Sequence, residues 1–354
     1  MAGELLPFRA GVRTVRIPMD SIPLTAFGQT GPRSRCRPAG YLHKIWLNLQ
    51  GTIMTGSGTP SGGWLTYPFL PFSLLSKIRV FATPGTDLIN ISGDALAQLN
   101  YLMSYAGNVV GAPVSQFNNG LDASVYQTNS GAVAASTAYS FAASFEIPIS
   151  TDDSLLWGLL PLQNEQTLVY VELTLAPAAN IHNITGVSVT PNFTAYLEQE
   201  VFMVSNEAQV AVPNLQFAHK IIETPKAIPS AGDNIYEPLI GPVYLRHLVI
   251  NENSSAQMAN SSITQVRYRF AQQVYIVDET YSAHMLRNFA YLGVPLPRGV
   301  VYLDWTNGQG IEGIVDTRDM VNTSQQTNVQ LVETITGSLT NAQMRVVDEY
   351  LSPL

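Results

Sequence analysis

The chain has 354 residues, of which 46% are hydrophobic and only 12% are charged, and its formal net charge is −8. This length and apolar content allow two domains with cores of their own and argue against disorder. The acidic balance argues against general nucleic-acid binding, because phosphate contacts need Lys and Arg. Cys36 is the single cysteine, which excludes an internal disulfide framework. A charged share about half the usual ~25% is typical of a surface covered by copies of the same chain; a polar, uncharged β-protein surface is the alternative.

The N-terminal segment is rich in arginine. Six of the 18 basic residues lie in its first 37 positions, against Glu4 and Asp20, and only residues 13–17 alternate like a strand. The six are Arg9, Arg13, Arg16, Arg33, Arg35 and Arg37. One hypothesis is an arm that contacts an acidic surface, such as lipid headgroups or nucleic acid. Ordinary salt bridges or subunit contacts are the alternative, and we favour them.

A long strand and a loop follow. Residues 41–50 are predicted to form a strand with Ile45, Leu47 and Leu49 on one face. Residues 51–63 are predicted to form a loop that is rich in Gly, Ser and Thr. This loop lacks the Gly-Lys-Ser/Thr sequence of a phosphate-binding loop, so we assign it no nucleotide site.

One helix is predicted in the first half. Ser92 is a good N-cap, Leu96, Leu99 and Met103 form an apolar stripe, and Gly107 can end the helix. A long connection at 108–139, uncharged apart from its one acid, is predicted to be functional or ordered by partners. The other strands predicted in this half are 78–81, 88–91, 140–149, 167–175, 187–189 and 193–204.

The second half repeats this arrangement. We place the domain boundary in a polar stretch, so that residues 1–207 hold the N-terminal arm and first domain and residues 208–354 the second. Asp278 is predicted to cap a helix that ends at Gly293. The predicted apolar face of this helix is Met285, Leu286, Phe289 and Ala290. The predicted strands are 217–222, 244–250, 266–270, 274–277, 300–303, 311–315, 328–336 and 343–349.

The two helices indicate an internal duplication. The number of residues from Ser92 to Asp278 equals the number from Gly107 to Gly293, so the two predicted helices start and end at the same spacing. Equal helices set among strands predict one β-rich domain used twice. Many short strands with turn signals predict an all-β chain of two tandem β-sandwiches. Eight-stranded jelly rolls, each with a helix in an inter-strand connection, are one form of such sandwiches.

We predict no catalytic, cofactor or metal site. Adjacent Asp152 and Asp153 are explained by helix capping, and Asp316 and Asp319 by pairing with Arg318. The histidines are scattered, and none has a second His or Cys at metal-ligand spacing. They are His43, His182, His219, His247 and His284. Missing motifs do not exclude an enzyme, because β-sandwich glycosidases use carboxylates without a local signature.

Several segments in order carry a family resemblance. They are Leu75–Phe81 with a turn at Pro84-Gly85 and the helix from Ser92, Thr151-Asp152-Asp153-Ser154-Leu155, Tyr244–Ile250, and Pro297-Arg298-Gly299-Val300-Val301-Tyr302-Leu303-Asp304. They resemble the major capsid proteins of tailless, membrane-containing phages of the tectivirus type. These proteins belong to the double jelly-roll lineage that includes adenovirus hexon. The last segment looks like the Pro-basic-Gly-Val-Tyr-Tyr-x-Asp run of their second jelly roll.

The resemblance implies a structural protein of the virion rather than an enzyme. It implies a homotrimer of six upright jelly rolls, whose pseudo-hexagonal capsomers tile an icosahedral shell over an internal membrane. The implied partners are neighbouring capsomers, penton, minor capsid and membrane-associated virion proteins, and lipid headgroups, without specific nucleic acid. The N-terminal arginines would lie on the inner face, and assembly would take place in the host cytoplasm.

Two alternatives keep the β-sandwich fold. A two-domain protein that binds or hydrolyses carbohydrate predicts a stable monomer with a groove of exposed aromatic residues and a carboxylate pair. Its candidate aromatic residues are Trp46, Trp64, Trp157 and Trp305. A receptor-binding spike or minor capsid protein is the other alternative, and copy number per particle distinguishes it from a major capsid protein.

Overall fold

The computed structural model describes two compact units. One contains described residues of Met1–Ala97 and Asn119–His219, and the other those of Gln98–Asn118 and Lys220–Pro353. The described residues are 7–65, 71–83, 85–105, 133–151, 156–163, 168–204, 210–211, 213, 215–254, 256–270, 274–293, 295–306, 320–326 and 328–353. Gly107, most of 108–139, Asp152, Asp153 and 307–319 therefore lie outside the described residues. The domain boundary between 207 and 208 stays a prediction.

The first jelly roll consists of two antiparallel sheets. One has the strand order β1-β10-β4-β7, with β2 on β10 and β8 on β4, and the other contains β6-β5-β9-β3. The elements are β1 Val12–Pro18, β2 Ile22–Leu24, β3 Ser34–Arg35, β4 Tyr41–Thr55, β5 Leu75–Ala82, β6 Thr86–Ile91, α1 Gly93–Tyr105, β7 Ala138–Pro148, β8 Leu160–Pro161, β9 Val169–Leu175 and β10 Val189–Val204.

The second jelly roll has the same strand order. Its sheets contain β11-β20-β13-β17, with β14 and β18 on β13, and β16-β15-β19-β12. The elements are β11 Phe217–Ala227, β12 Gly232–Tyr236, β13 Val243–Asn253, β14 Ala256–Gln257, β15 Ile263–Phe270, β16 Val274–Thr280, α2 Tyr281–Leu292, β17 Val300–Asp304, β18 Val321–Asn322, β19 Val329–Ile335 and β20 Gln343–Pro353. Each jelly roll thus has eight strands along its two sheet orders, with two short strands beside them and one helix between equivalent strands, as predicted.

Alternation along the strands forms the cores. In β4 the predicted apolar residues Ile45, Leu47 and Leu49 are fully buried, because successive side chains of a strand point to opposite faces. The loop predicted from Gly51 is wrong for its first part, since β4 continues to Thr55. Glycine is needed at the start of that part, because a Cβ on Gly51 would clash with the backbone oxygen of Asn192.

The duplication is confirmed, but at a spacing different from the predicted one. Strand β5 spans residues 75–82, and strand β15 spans residues 263–270. The number of residues that separates these two strands is larger than the number that separates the two predicted caps. Their β-bulges repeat at the spacing of the strands. The partners of β5 shift between Val80 and Phe81, and those of β15 between Tyr268 and Arg269. Bulges interrupt the hydrogen-bond ladder, so their repetition in register identifies β5 and β15 as equivalent strands.

The same comparison aligns the other sheet. The partners of β4 shift between Lys44 and Leu42, and those of β13 between Arg246 and Tyr244. Lys44 therefore corresponds to Arg246. Each of these two residues pairs with a glutamate on the neighbouring strand, Glu200 of β10 or Glu349 of β20. The two jelly rolls therefore correspond residue by residue across both sheets, although few residues are identical.

The structure corrects the start of helix α2. Asp278 belongs to β16, and Thr280 is the N-cap, with its hydroxyl accepting a hydrogen bond from the Ala283 N–H at 3.3 Å. The predicted end is confirmed, because Gly293 adopts the left-handed conformation with φ 73°.

The predicted apolar face of α2 is wrong except for Met285, which packs half-buried against the core, because Leu286, Phe289 and Ala290 are exposed. Leu286 is 69% exposed and Phe289 is 50% exposed. The side of the helix that faces the core consists of Tyr281, His284, Asn288 and Leu292. Hydrogen bonds allow the polar members of that side to be buried, since Asn288 donates to the His284 carbonyl at 3.0 Å.

Candidate functional site

The N-terminal arginines contact their own jelly roll. Arg16 pairs with Glu200 and Arg33 with Glu172, each at 3.0 Å, and Arg37 lies 3.6 Å from Asp20. These three side chains remain more than half exposed. Arg9 places its guanidinium over the ring of Phe202, whereas Arg13 and Arg35 lie exposed on β1 and β3. Their contact with an inner face stays a prediction.

The second jelly roll buries a group of charges on β13, β17 and β20. The Arg246 guanidinium donates to both carboxylate oxygens of Glu349 at 3.0 Å and lies 3.4 Å from Asp304. Burial alone would lower the pKa of Arg246, but Glu349 and Asp304 raise it well above its usual value. Nη1 of Arg246 makes both hydrogen bonds to Glu349, and Asp304 adds a second carboxylate, so the two acids compensate the desolvation of the cation.

A His–Asp pair lies beside this group. His247 Nδ1 is 2.7 Å from Asp348, and His247 Nε2 is 3.2 Å from the Tyr268 hydroxyl. The Tyr236 hydroxyl donates to the second Asp348 oxygen at 2.5 Å. His247 is fully buried. A substrate from solvent cannot reach it, so this arrangement satisfies core polar groups rather than serving as an acid–base pair.

One buried carboxyl has a raised pKa. Glu333 on β19 accepts a hydrogen bond from the Asn251 amide at 2.7 Å. Burial raises the pKa of Glu333 to about 7, and the Asn251 hydrogen bond acts in the opposite direction. Its equivalent in the first jelly roll is the buried Leu173, because both residues oppose equivalent positions of β5 and β15.

The other histidines also pack within the chain. His43 Nδ1 is 2.5 Å from the Ser150 hydroxyl, His182 contacts the rings of Phe27 and Trp64, and His284 Nδ1 is 2.7 Å from Glu279. Within the described residues, no group of three or more His, Cys, Asp or Glu is arranged to hold a metal ion. Burial raises the pKa of the Cys36 thiol to about 12, which makes the thiol unreactive.

The tryptophans do not form a common platform. Arg16 lies over Trp46, Trp64 contacts Tyr139, Trp157 contacts Phe217, and Trp305 contacts Tyr268. All four rings are half-buried and described, and no ring contact joins two of them. The aromatic groove expected of a carbohydrate-binding protein therefore finds no support in their positions.

An exposed apolar surface lies on α2 of the second jelly roll. The α2 surface consists of Ile276, Leu286, Phe289 and Tyr291, which are 41–69% exposed. A groove of about 270 Å³ adjoins it, lined in part by Arg287, Asn288, Asp304 and Trp305. Leu286 and Phe289 lie one turn apart on the outward side of α2, whereas Ile276 and Tyr291 line the groove. Exposed apolar groups that lie together mark interaction sites in folded proteins.

A second uncovered surface lies on β4, β7 and β10 of the first jelly roll. The sheet surface consists of outward positions without a charge: Asn48, Gln50, Thr52, Met54, Ala138, Ser140, Ala142, Ser144, Thr190, Asn192, Thr194 and Tyr196. Charges begin only at one end, with Lys44, Glu146, Glu198 and Glu200. A broad uncharged sheet face is desolvated at a smaller cost than a charged one, which suits the buried centre of an interface.

Sequence reasoning missed both surfaces. Low overall charge pointed to covered surfaces without locating them, and the wrong spacing of the two helices hid their equivalence. A signal for the correct spacing exists. Arg79 and Arg267 are identical residues at the spacing of β5 and β15, and Asn100 and Asn288 are identical residues at that same spacing.

None of the described helices is long and apolar enough to cross a membrane. Comparisons with known sequences found no match, either among protein-family models or among curated proteins.

Comparison with solved structures gives matches along the whole chain. The STIV major capsid protein, from Sulfolobus Turreted Icosahedral Virus, is similar with a TM-score of 0.69, 14% identity, and coverage of 96% of this chain and 97% of that chain. The PBCV-1 virus capsid protein gives a TM-score of 0.63, 12% identity, and coverage of 96% and 93%. The major capsid protein of bacteriophage PM2 gives 0.55, 12%, and coverage of 97% and 98%.

The strand orders of the two jelly rolls and these likenesses define the fold. The chain is a double jelly roll. The three solved structures named above, which are similar to this chain, are viral capsid proteins.

Proposed function

We propose that this chain is a major capsid protein whose homotrimers form the pseudo-hexagonal capsomers of an icosahedral viral shell. The observation that carries the proposal is the repetition of one jelly roll within the chain, with the same strand order and the same bulges. Two equivalent domains per chain let three copies fill six near-equivalent positions around a closed ring. The coverage of entire capsid-protein chains by this chain supports the proposal.

The distribution of polar groups supports a structural role without catalysis. The His247–Asp348 pair and the Arg246–Glu349 pair are buried, so they contribute to a rigid core and offer no access to substrate. The sheet surface and the α2 surface are uncharged or apolar, as expected of faces that contact other copies.

The finer parts of the proposal concern the particle. The protein resides in the virion after assembly in the host cytoplasm, next to penton, minor capsid and membrane-associated proteins. The N-terminal arginines face the headgroups of an internal membrane. Arg16, Arg33 and Arg37 support this placement, because each keeps more than half of its side chain exposed while paired.

Native mass tests the proposal first. Light scattering at several concentrations is expected to give a stable species of three times the 38.5 kDa chain mass. Electron microscopy of particles is then expected to show this protein as the most abundant one, which separates a major capsid protein from a spike. A monomer at every concentration would contradict the proposal and direct attention to glycan binding.

The membrane contact needs its own test. Vesicles with anionic lipid are expected to co-sediment with the wild-type protein and less with an Arg13→Ala/Arg35→Ala variant. The matched control is Arg298→Ala, which removes an exposed arginine outside the N-terminal segment. Equal binding by all three proteins would contradict the inward placement of the arginines.

A further inference from the structure

The duplication allows each exposed residue of one jelly roll to be compared with its equivalent in the other. At the spacing of β5 and β15, Leu286 of α2 corresponds to Gln98 of α1, and Phe289 corresponds to Tyr101. Leu286 and Phe289 are 69% and 50% exposed, whereas Gln98 and Tyr101 are 0% and 3% exposed. Helix α1 is therefore covered on this side, and helix α2 is uncovered.

The exposure of the sheets differs in the opposite way from that of the helices, because the exposed sheet belongs to the first jelly roll. In the first jelly roll, Tyr196 belongs to a cross-strand row with Asn48 and Ser144. The equivalent row in the second is Arg345, Ile250 and Val300. Tyr196 is 51% exposed and Arg345 is 9% exposed, and Ile250 and Val300 are fully buried. This sheet face is therefore uncovered in the first jelly roll and covered in the second.

We infer that the α2 surface of one copy packs on the sheet surface of the next copy. This inference rests on the proposed function and specifies the faces through which the copies join. Each copy then contacts one neighbour through its α2 surface and the other neighbour through its sheet surface, which makes the contact head-to-tail. Such contacts form closed rings when the rotation between copies closes, and three copies close a ring of six jelly rolls.

The occupant is a second copy because this chain holds both halves of the contact. The α2 surface supplies Leu286, Phe289 and Tyr291, and the sheet surface supplies Met54 and Tyr196, so large apolar groups meet an uncharged face. The charge of Arg287 beside α2 is balanced by Glu279 at 2.8 Å, which leaves the helix side close to neutral. Uncharged faces lose less solvation energy when they meet than charged faces do.

Matched aspartate variants test the helix side. Leu286→Asp is expected to raise the concentration at which half of the protein is assembled by about 30-fold or more, because the contact would bury an unpaired carboxylate. Leu239→Asp is the control, since Leu239 is 62% exposed in the same jelly roll but outside the α2 surface. It is expected to leave assembly unchanged, and circular dichroism checks that both variants fold. Equal assembly of the two variants would overturn the inference.

Cross-linking tests the pairing of the two surfaces. A Phe289→Cys/Tyr196→Cys variant, treated with a short bis-maleimide, is expected to give covalent dimers and trimers on a denaturing gel. Each single-cysteine variant is expected to stay at the monomer position, because a head-to-tail contact does not bring like residues together. The native Cys36 is buried and does not compete for the reagent.

The outcomes separate the inference from the proposed function. A native trimer of wild-type protein without covalent oligomers of the double variant overturns the inference and leaves the proposed function in place. A native monomer of wild-type protein overturns both. Covalent dimers of a single-cysteine variant also overturn the inference, because they indicate a symmetric contact.

Discussion

Lys44 in the first jelly roll and Arg246 in the second occupy the same position beside the same β-bulge, but their surroundings differ. Lys44 lies 2.7 Å from Glu146, with 22% and 34% of the two side chains exposed. Arg246 lies 3.0 Å from Glu349, with 8% and 1% exposed. Strand order and register therefore do not decide whether a charge at this position is buried.

The difference follows from what covers the sheet. In β13 every residue between the two ends is buried, whereas β4 alternates between buried and partly exposed residues. A cation on a covered face must have carboxylate partners, because its desolvation is otherwise uncompensated. The guanidinium of arginine can donate to several buried partners at once, as Arg246 does to Glu349 and Thr306, whereas the strongly hydrated ammonium of lysine suits a solvent-exposed position.

Removal of the two cations gives the largest expected effect. Arg246→Met leaves Glu349 and Asp304 buried without their cation, and is expected to lower the free energy of unfolding by about 3–5 kcal/mol. Lys44→Met, the matched control in the first jelly roll, is expected to lower it by at most about 1 kcal/mol, because its pair is partly exposed. Denaturant unfolding of both variants at equal protein concentration measures the difference. Similar losses in the two variants would remove the distinction between the jelly rolls.

The next largest effect concerns Glu333, which has the non-ionising Leu173 as its equivalent in the first jelly roll. Because the folded pKa of Glu333 is about 7, above the unfolded value of 4.5, the folded state binds more protons between these values. Stability is therefore expected to fall by about 3 kcal/mol as pH rises from about 4.5 to about 8. Glu333→Gln is expected to remove this fall, since the amide does not ionise. The check is the difference in denaturant midpoint between acidic and mildly basic buffer for the two proteins; an unchanged pH dependence in Glu333→Gln would refute the assignment.

The helix caps give the smallest effect. Thr280→Ala is expected to lower the free energy of unfolding by about 1 kcal/mol, because it removes the acceptor of the Ala283 N–H. Asp278→Ala is expected to change it by less than ~0.5 kcal/mol, since Asp278 is an exposed strand residue. Thermal unfolding of the two single variants decides between the caps, and a larger loss in Asp278→Ala would favour a helix that begins earlier.

Sequence patterns predicted those features that depend on local chemistry. Alternation identified Ile45, Leu47 and Leu49 as core residues, and glycine chemistry identified Gly293 as the end of α2. The start of α2 was missed because Asp278 and Thr280 are both suitable caps. The choice between them depends on how far β16 pairs with β15, which is a tertiary property.

The candidate surfaces could not be predicted for a related reason. Phe289 and Tyr101 are both aromatic residues in helices, but Phe289 is exposed and Tyr101 is buried. In the same way, Lys44 and Arg246 are both cations in a strand. Lys44 precedes the core residue Ile45, and Arg246 precedes the buried His247. Burial of either cation depends on residues that are distant in sequence, so period and propensity carry no signal for it.

The unequal connections of the two jelly rolls have a consequence for protein engineering. The connection from α1 to β7 spans 106–137, whereas the equivalent connection from α2 to β17 spans only 293–299. The strands on either side keep equivalent registers and bulges in both jelly rolls. The sandwich has therefore absorbed a long insertion at this connection without any change of register, as the slow growth of loop-closure entropy with length allows. For protein engineering, a change in the length of this connection is therefore expected to leave the register of the flanking strands unchanged.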